Sequence, residues 1–205
     1  MSDFELYEHI AKRLAQRSPQ VSEQGGIRSA AVALLLQQGK AGTELFFIER
    51  AHQPTDPWSG NISFPGGHYD PVDLTLRHTA ERETLEEVGI ELAPARYLGR
   101  LSDIIGANLP VRVSCFVYGL LEEVTPVLSD EVNDTFWFGL EDLWQPGRHI
   151  SATVRFGERE INAPAIDFGL PDKQVLWGIT YRLVTQFREL LESGSGLNLP
   201  DEVLL

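Results

Sequence analysis

The chain has 205 residues, 42% of them hydrophobic and 23% charged, the make-up of a folded domain of ordinary size and not of a disordered or fibrous chain. With 30 acids against 17 bases its net charge is −13, which excludes a broad basic surface tracking a nucleic-acid polymer and means that an anionic substrate needs a recruited cation. A single cysteine, Cys115, excludes a disulfide framework, and neither a membrane-length apolar run nor a secretory leader is visible, so the chain reads as cytoplasmic with no membrane partner.

In chain order, Phe4, Leu6, Ile10 and Leu14 recur at helical spacing and predict a peripheral N-terminal helix over 3–17, stopped by Ser18-Pro19. The run Ala30 to Leu36 is apolar on both faces and predicts a buried strand, and Leu45 to Ile48 a second that pairs with it. A loop from His52 to Gly60 leads to a short strand, Ile62 to Gly67, broken by Pro65 and two glycines. Leu74 to Val88 predicts a charged helix ending at Gly89, a preferred residue just past a helix end. Strands follow at Arg96–Leu101, Val111–Leu121 and Thr135–Phe138, with an acidic loop, Glu122–Asp134, between the last two. Val154–Phe156 and Ile161–Ile166 predict a hairpin turning at Gly157-Glu158, and Gln174–Glu192 a closing amphipathic helix. The tail, 194–205, has linker composition. Strands without a steady βαβ rhythm predict an α/β fold: one domain over 1–193 with a mixed sheet sandwiched between helices, α/β/α.

The chemistry lies in Arg82-Glu83-Thr84-Leu85-Glu86-Glu87-Val88-Gly89. At about 100° per residue Glu83, Glu86 and Glu87 share an exposed helical face, whereas Glu81 points away and reads as solvated. Like charges at these spacings repel by a few tenths of a kcal/mol per pair unless a cation sits among them. A solvated face is the ordinary reading of helical glutamates. Here the Gly66-Gly67 pair allows close backbone approach, and Arg82 can pair with Asp70 or Asp73 to fix the preceding loop. An all-oxygen donor set of Glu83, Glu86 and Glu87 selects a hard cation, Mg²⁺ or Mn²⁺.

These residues resemble the Nudix box, G-x5-E-x7-R-E-U-x-E-E-x-G-U with U a bulky aliphatic: Gly67, Asp73 in place of the first Glu, Arg82, Glu83, Glu86, Glu87, Gly89 and Ile90. Thr84 replaces an aliphatic, and the stretch from Asp73 to Arg82 is one residue longer than the pattern. That insertion, Phe64-Pro65-Gly66-Gly67, Thr79-Ala80 before Arg82, and Leu176-Trp177-Gly178-Ile179-Thr180 are similar to the coenzyme A pyrophosphatase branch. The resemblance covers most of residues 27 to 190.

It implies a Nudix-like fold and metal-dependent hydrolysis of a nucleoside-diphosphate derivative, most simply coenzyme A, with ADP-ribose, NADH or another nucleotide as alternatives. A nucleotide-sensing module without catalysis is the remaining reading. Within this picture Glu86 or Glu131 takes a proton from water, Arg82 belongs to the catalytic set, and Arg50 resembles a phosphate-contacting position. Arg28, at the opening of the first strand, is a second candidate for the substrate. Trp58 stands either at the pocket mouth or over the core. The branch's Arg and His before the glycine matching Gly60 are absent, replaced by Thr55-Asp56-Pro57-Trp58. The implied partner is a small-molecule diphosphate; a homodimer is compatible with the sequence. The five histidines form no paired motif, and Gly39-Lys40-Ala41 lacks the rest of a phosphate-binding loop.

Overall fold

The computed structural model describes residues 3–21, 26–53, 58–107, 110–157 and 159–192, with side chains from Glu5 onward. Thr55, Asp56, Pro57, Glu158 and the tail 194–205 lie outside the described residues. The elements run α1 (Asp3–Ala15), β1 (Arg28–Gly39), β2 (Gly42–Arg50), β3 (Ile62–Ser63), β4 (Gly66–His68), α2 (Leu76–Val88), β5 (Arg96–Arg100), β6 (Ile104–Ile105) and β7 (Val111–Gly119). Next come β8 (Val132–Gly139), a 3₁₀ turn (Asp142–Trp144), β9 (His149–Phe156), β10 (Arg159–Ile166), β11 (Leu176–Trp177) and α3 (Gly178–Glu192).

β1 is the axis of the sheet. One edge runs parallel to β7 from Arg28–Val111 to Leu36–Gly119. The other edge forks: Leu36 to Gly39 pair with the start of β2, while Ala30 to Val32 pair with β4. At the fork the Ala33 amide donates to the Pro65 carbonyl at 2.9 Å. A second sheet, β11-β10-β9, stands apart from this one.

Alternation along the strands sends successive side chains into two layers. Leu34, Leu36, Leu45, Phe47, Cys115 and Val117 pack with Tyr7, Ile10 and Leu14 of α1 and with Leu183, Val184, Phe187 and Leu190 of α3. Ala31, Ala33, Leu35, Phe46, Ile48 and Tyr118 pack with Ala80 and Val88 of α2. The mixed α/β/α sandwich expected from the sequence is therefore the fold.

Several boundaries differ from the sequence expectation. α1 ends at Ala15 and not at residue 17, and it is no peripheral element, because Tyr7, Ile10 and Leu14 are buried. The Tyr7 hydroxyl also reaches the carbonyls of Leu36 and Leu120 at 3.1 and 3.0 Å. α2 starts at Leu76, since the Thr75 hydroxyl accepts from the His78 amide and caps the helix, as the N-cap preference of threonine requires. The closing helix starts at Gly178; Leu176 and Trp177, expected inside it, pair with Ile166 and Ala165 of β10 as a strand. β8 begins at Val132, inside the expected acidic loop.

If α1 is integral to the core, Ile10→Ala lowers unfolding free energy by about 2–4 kcal/mol through lost burial and a residual cavity. Urea denaturation measures this, and a loss below about 1 kcal/mol would return the helix to the periphery.

Candidate active site

The loop before α2 is fixed by a buried ion pair. Arg82 donates from Nε to Asp73 Oδ1 at 2.9 Å and from Nη2 to Asp73 Oδ2 at 3.0 Å, a bidentate geometry available to arginine but not lysine. Asp73 is 3% exposed and accepts further bonds from the Thr79 hydroxyl and the Asp70 amide. The Arg82 hydrogen bond, chiefly, holds the Asp73 carboxyl well below the usual carboxylate range; the Thr79 and Asp70 bonds add to it against the opposing effect of burial. Of the two aspartates the sequence offered to Arg82, the partner is Asp73.

Arg82 also reaches the acidic trio. Its Nη2 lies 3.0 Å from Glu83 Oε1 and its Nη1 2.8 Å from Glu86 Oε2. Glu86 is the exposed member, with 58% of its side chain accessible. Glu87 is not on an exposed face as its helical position predicted: it is 3% exposed. Two contacts account for its inward position. The Gly66 amide donates to Glu87 Oε2 at 2.8 Å, and Arg50 Nη1 stands 3.8 Å from Glu87 Oε1. Burial pushes the Glu87 carboxyl up to about 7, opposed by the Gly66 bond and Arg50 and reinforced by repulsion from Glu83 and Glu131. Glu83 is also raised, first by burial, with Arg82 opposing and Glu86 and Glu131 adding repulsion. Glu131, in the loop before β8, therefore acts electrostatically on both Glu83 and Glu87.

The glycine pair makes this approach sterically feasible. Gly66 has φ 148°, and a Cβ there would sit 2.2 Å from the Ala31 carbonyl oxygen. At Gly67 a Cβ would fall 2.5 Å from the Glu83 carboxyl carbon. β4 thus lies flat between β1 and α2, with Glu83 and Glu87 against its backbone.

On the sheet side of this backbone is a cavity of about 530 Å³. Arg28, Arg50, Trp58, Gly66 and Gly67, scattered over forty residues of sequence, all line it. Trp58 also packs edge-on to Phe156 and against Trp177, so it borders the cavity and covers a small apolar cluster. Val113, Trp177, Ile179 and Leu183 also line the cavity. Asn61, which sequence reasoning passed over, lines the cavity and accepts the Trp177 indole N–H at 3.1 Å.

Glu81 is not merely solvated. Its carboxylate accepts from the Tyr118 hydroxyl at 2.8 Å and from Arg77 Nε at 2.9 Å, away from the trio.

The fit to a divalent cation rests on this donor set. Among the described residues no three His, Cys, Asp or Glu side chains close into a ready metal cage; Arg82 holds Glu83 and Glu86. A hard cation of the magnesium type commonly takes one or two carboxylates and completes its shell with water and substrate phosphate. Glu83 and Glu87, raised by burial and mutual repulsion, meet that requirement, and Glu86 and Glu131 flank them.

Residues 26–158 match the NUDIX domain family. The chain belongs to the Nudix family. It is 30% identical over 171 residues to the human mitochondrial coenzyme A diphosphatase NUDT8, covering 82% of this chain and 71% of that one. An uncharacterized protein of Schizosaccharomyces pombe, C14C4.10c, is 37% identical over 112 residues, half of this chain and a third of that protein's length. In structure, the chain is similar to the NUDIX domain of Shewanella oneidensis NrtR, solved with ADP ribose (TM-score 0.54, 18% identity, 88% of this chain and 97% of that one). It is also similar to a MutT/nudix family protein of Enterococcus faecalis (TM-score 0.54, 17% identity, 93% and 75%). At these identities the structural likeness is one of fold. Nudix hydrolases generally use divalent metal ions, and among the described residues no helix is long and apolar enough to cross a membrane.

Asp73→Asn removes the buried charge opposite partly buried Arg82 and is expected to cost about 2–3 kcal/mol at neutral pH, the range of a charge-assisted bond. Because the folded carboxyl is depressed, its contribution is complete above the ordinary Asp value near 4 and fades as pH falls further. Urea titrations at neutral and acidic pH should show the two proteins converging in acid; a constant difference would contradict the ion-pair origin.

Proposed function

We propose that this chain is a pyrophosphohydrolase that cleaves the diphosphate linkage of coenzyme A or a coenzyme A derivative, giving 3′,5′-ADP and 4′-phosphopantetheine. The observation that carries the reading is the meeting of two chemistries at one glycine pair. Buried Glu87 and partly buried Glu83 lie on one side of Gly66-Gly67, and a cavity bordered by Arg28, Arg50 and aromatic rings lies on the other. The sequence likeness to the human coenzyme A diphosphatase supports the choice of substrate.

Glu83, Glu86 and Glu87 would hold Mg²⁺ or Mn²⁺, which would neutralise the diphosphate charge and lower the pKa of a bound water. Arg50, between the Glu87 carboxylate and the cavity, is placed to hold a diphosphate oxygen. Arg28 offers a second positive charge along the cavity wall. Glu86, exposed, or Glu131, in the facing loop, accepts the proton of the attacking water. Arg82 fixes Glu83 and Glu86 to the Asp73 anchor and thereby sets the direction of the carboxylates. Trp58 and Trp177 supply aromatic wall to the cavity. All three glutamates of the trio are present, which favours catalysis over mere nucleotide sensing. A cytoplasmic setting belongs to the same proposal; the human relative is named for mitochondria.

The test is a screen of coenzyme A, 3′-dephospho-coenzyme A, ADP-ribose, NADH and nucleoside triphosphates with Mg²⁺ and then Mn²⁺, run on the wild type, Glu87→Gln and Glu81→Gln. Coenzyme A is expected to be cleaved. Its preference over the dephospho form should stay below about tenfold, because the arginine expected before Gly60, a contact of roughly 1.5–3 kcal/mol, is absent. Glu87→Gln keeps an acceptor for the Gly66 amide and should fold, yet lower kcat by at least about 10²-fold; Glu81→Gln should leave turnover within about twofold. Higher kcat/KM on ADP-ribose or NADH would replace the substrate, and near-normal turnover of Glu87→Gln would overturn the metal-ligand assignment.

A further inference from the structure

The end of β2 carries two charged residues of opposite fate. By alternation Glu49 falls on the side of Leu45 and Phe47, facing the α1/α3 layer, and Arg50 on the side of Phe46 and Ile48, facing α2. Glu49 is consequently a carboxylate at the edge of a core, with 12% of its side chain exposed. Both of its oxygens are held: Oε1 accepts from Asn133 Nδ2 at 2.8 Å, and Oε2 from Lys173 Nζ at 2.9 Å. Lys173, itself 11% exposed, bonds Asp134 as well and lies over the Phe136 ring.

This network sits on a β-bulge. Ile48 pairs with Thr135 and Glu49 with Asp134, but Arg50 pairs with Val132, so that Asn133 is the extra residue. The shifted register continues one step further, where the Ala51 amide donates to the Glu131 carbonyl at 2.8 Å. A bulge re-aims the side chains beside it. Here it sets Arg50 towards Glu87 and the cavity, and brings Glu131 alongside. The clamp on this bulge, Lys173, comes from the segment between β10 and β11, beyond the residues that match the family.

We propose that Lys173, acting through Glu49 and Asn133, is a positioning residue that holds the bulge and so aims Arg50 at the diphosphate of the substrate. The proposal rests on the reading of Arg50 as a diphosphate contact. Removing the ammonium leaves Glu49 nearly buried without its cation, and the strand end must turn to hydrate it. Arg50 moves with that strand end. Lys173 touches no cavity wall itself.

The experiment is a double-mutant cycle on the full chain, measuring KM and kcat separately with the best substrate of the screen. Arg50→Ala should raise KM by at least about tenfold, and Lys173→Met by about three- to tenfold with kcat held within about twofold. Lys173→Arg, which keeps the charge, should restore KM to within about twofold of wild type. In the Arg50→Ala background Lys173→Met should change KM by less than about twofold, because the residue it aims is gone. A merely structural role would instead lower the active fraction, reducing apparent kcat equally in both backgrounds with KM unmoved. If Lys173→Met does not fold, Glu49→Gln, which retains the bond from Asn133, serves in its place with the same expectation. An unchanged KM in Lys173→Met beside a raised KM in Arg50→Ala overturns the proposal alone. An unchanged KM in Arg50→Ala overturns the reading of Arg50 and the proposal with it.

Discussion

Burying the Glu87 carboxylate against the Gly66 amide sets the geometry on which the rest of the site depends. The ionised group loses most of its hydration and gains one backbone hydrogen bond and a guanidinium 3.8 Å away, an incomplete repayment for a buried charge. With its carboxyl raised to about 7, its ionised form opposes folding increasingly as pH climbs above the ordinary glutamate value. A neighbouring cation reverses that sign. The surrounding sequence makes the strained placement possible: glycines where a Cβ would strike Ala31 or Glu83, and small Ala31, Ala33 and Ala80 letting α2 settle close to the sheet.

Asp73 and Arg82 perform the complementary task. Their bidentate pair stitches the loop before α2 to the middle of the helix, and the remaining Arg82 donors reach Glu83 and Glu86. Glu83 and Glu86 are thus held by a guanidinium already, and a metal bound there would have to displace part of that contact. Beyond the glycines, α3 and β11 supply Trp177, Ile179 and Leu183 to the cavity, so part of its wall comes from a segment outside the family match.

Much of this was legible in the sequence because it is local. The i, i+3, i+4 spacing of Glu83, Glu86 and Glu87, the stop at Gly89 and the uniformly apolar β1 each follow from one element's periodicity. Of the residues that share the cavity, Arg50 came from resemblance, Gly66-Gly67 from the freedom of glycine, and Arg28 and Trp58 from their places at a strand opening and in a loop; that they meet was not legible, since no periodicity joins residues so far apart. What escaped was tertiary. The depth of Glu87 depends on β4 folding over α2, and the burial of α1 on a sheet face it meets across the whole chain. Glu81 looked solvated because Tyr118, which bonds it, lies 37 residues away. Leu176 and Trp177 fit a helical stripe equally well, and only the availability of β10 as a pairing edge makes them a strand. Lys173 carries no motif; its role is set by a bulge invisible in either strand alone.

The central claim, that Glu87 is a carboxylate kept buried for a divalent cation, is tested most directly by titrating the protein with Mn²⁺ in the absence of substrate, following bound metal by paramagnetic resonance from about pH 6 to about pH 8. Wild type should bind Mn²⁺ more tightly as pH rises through about 7, where the proton on Glu87 ceases to compete. Glu87→Gln should bind it at least about tenfold more weakly, with a flatter pH dependence. Equal affinity and equal pH dependence in the two proteins would contradict the account.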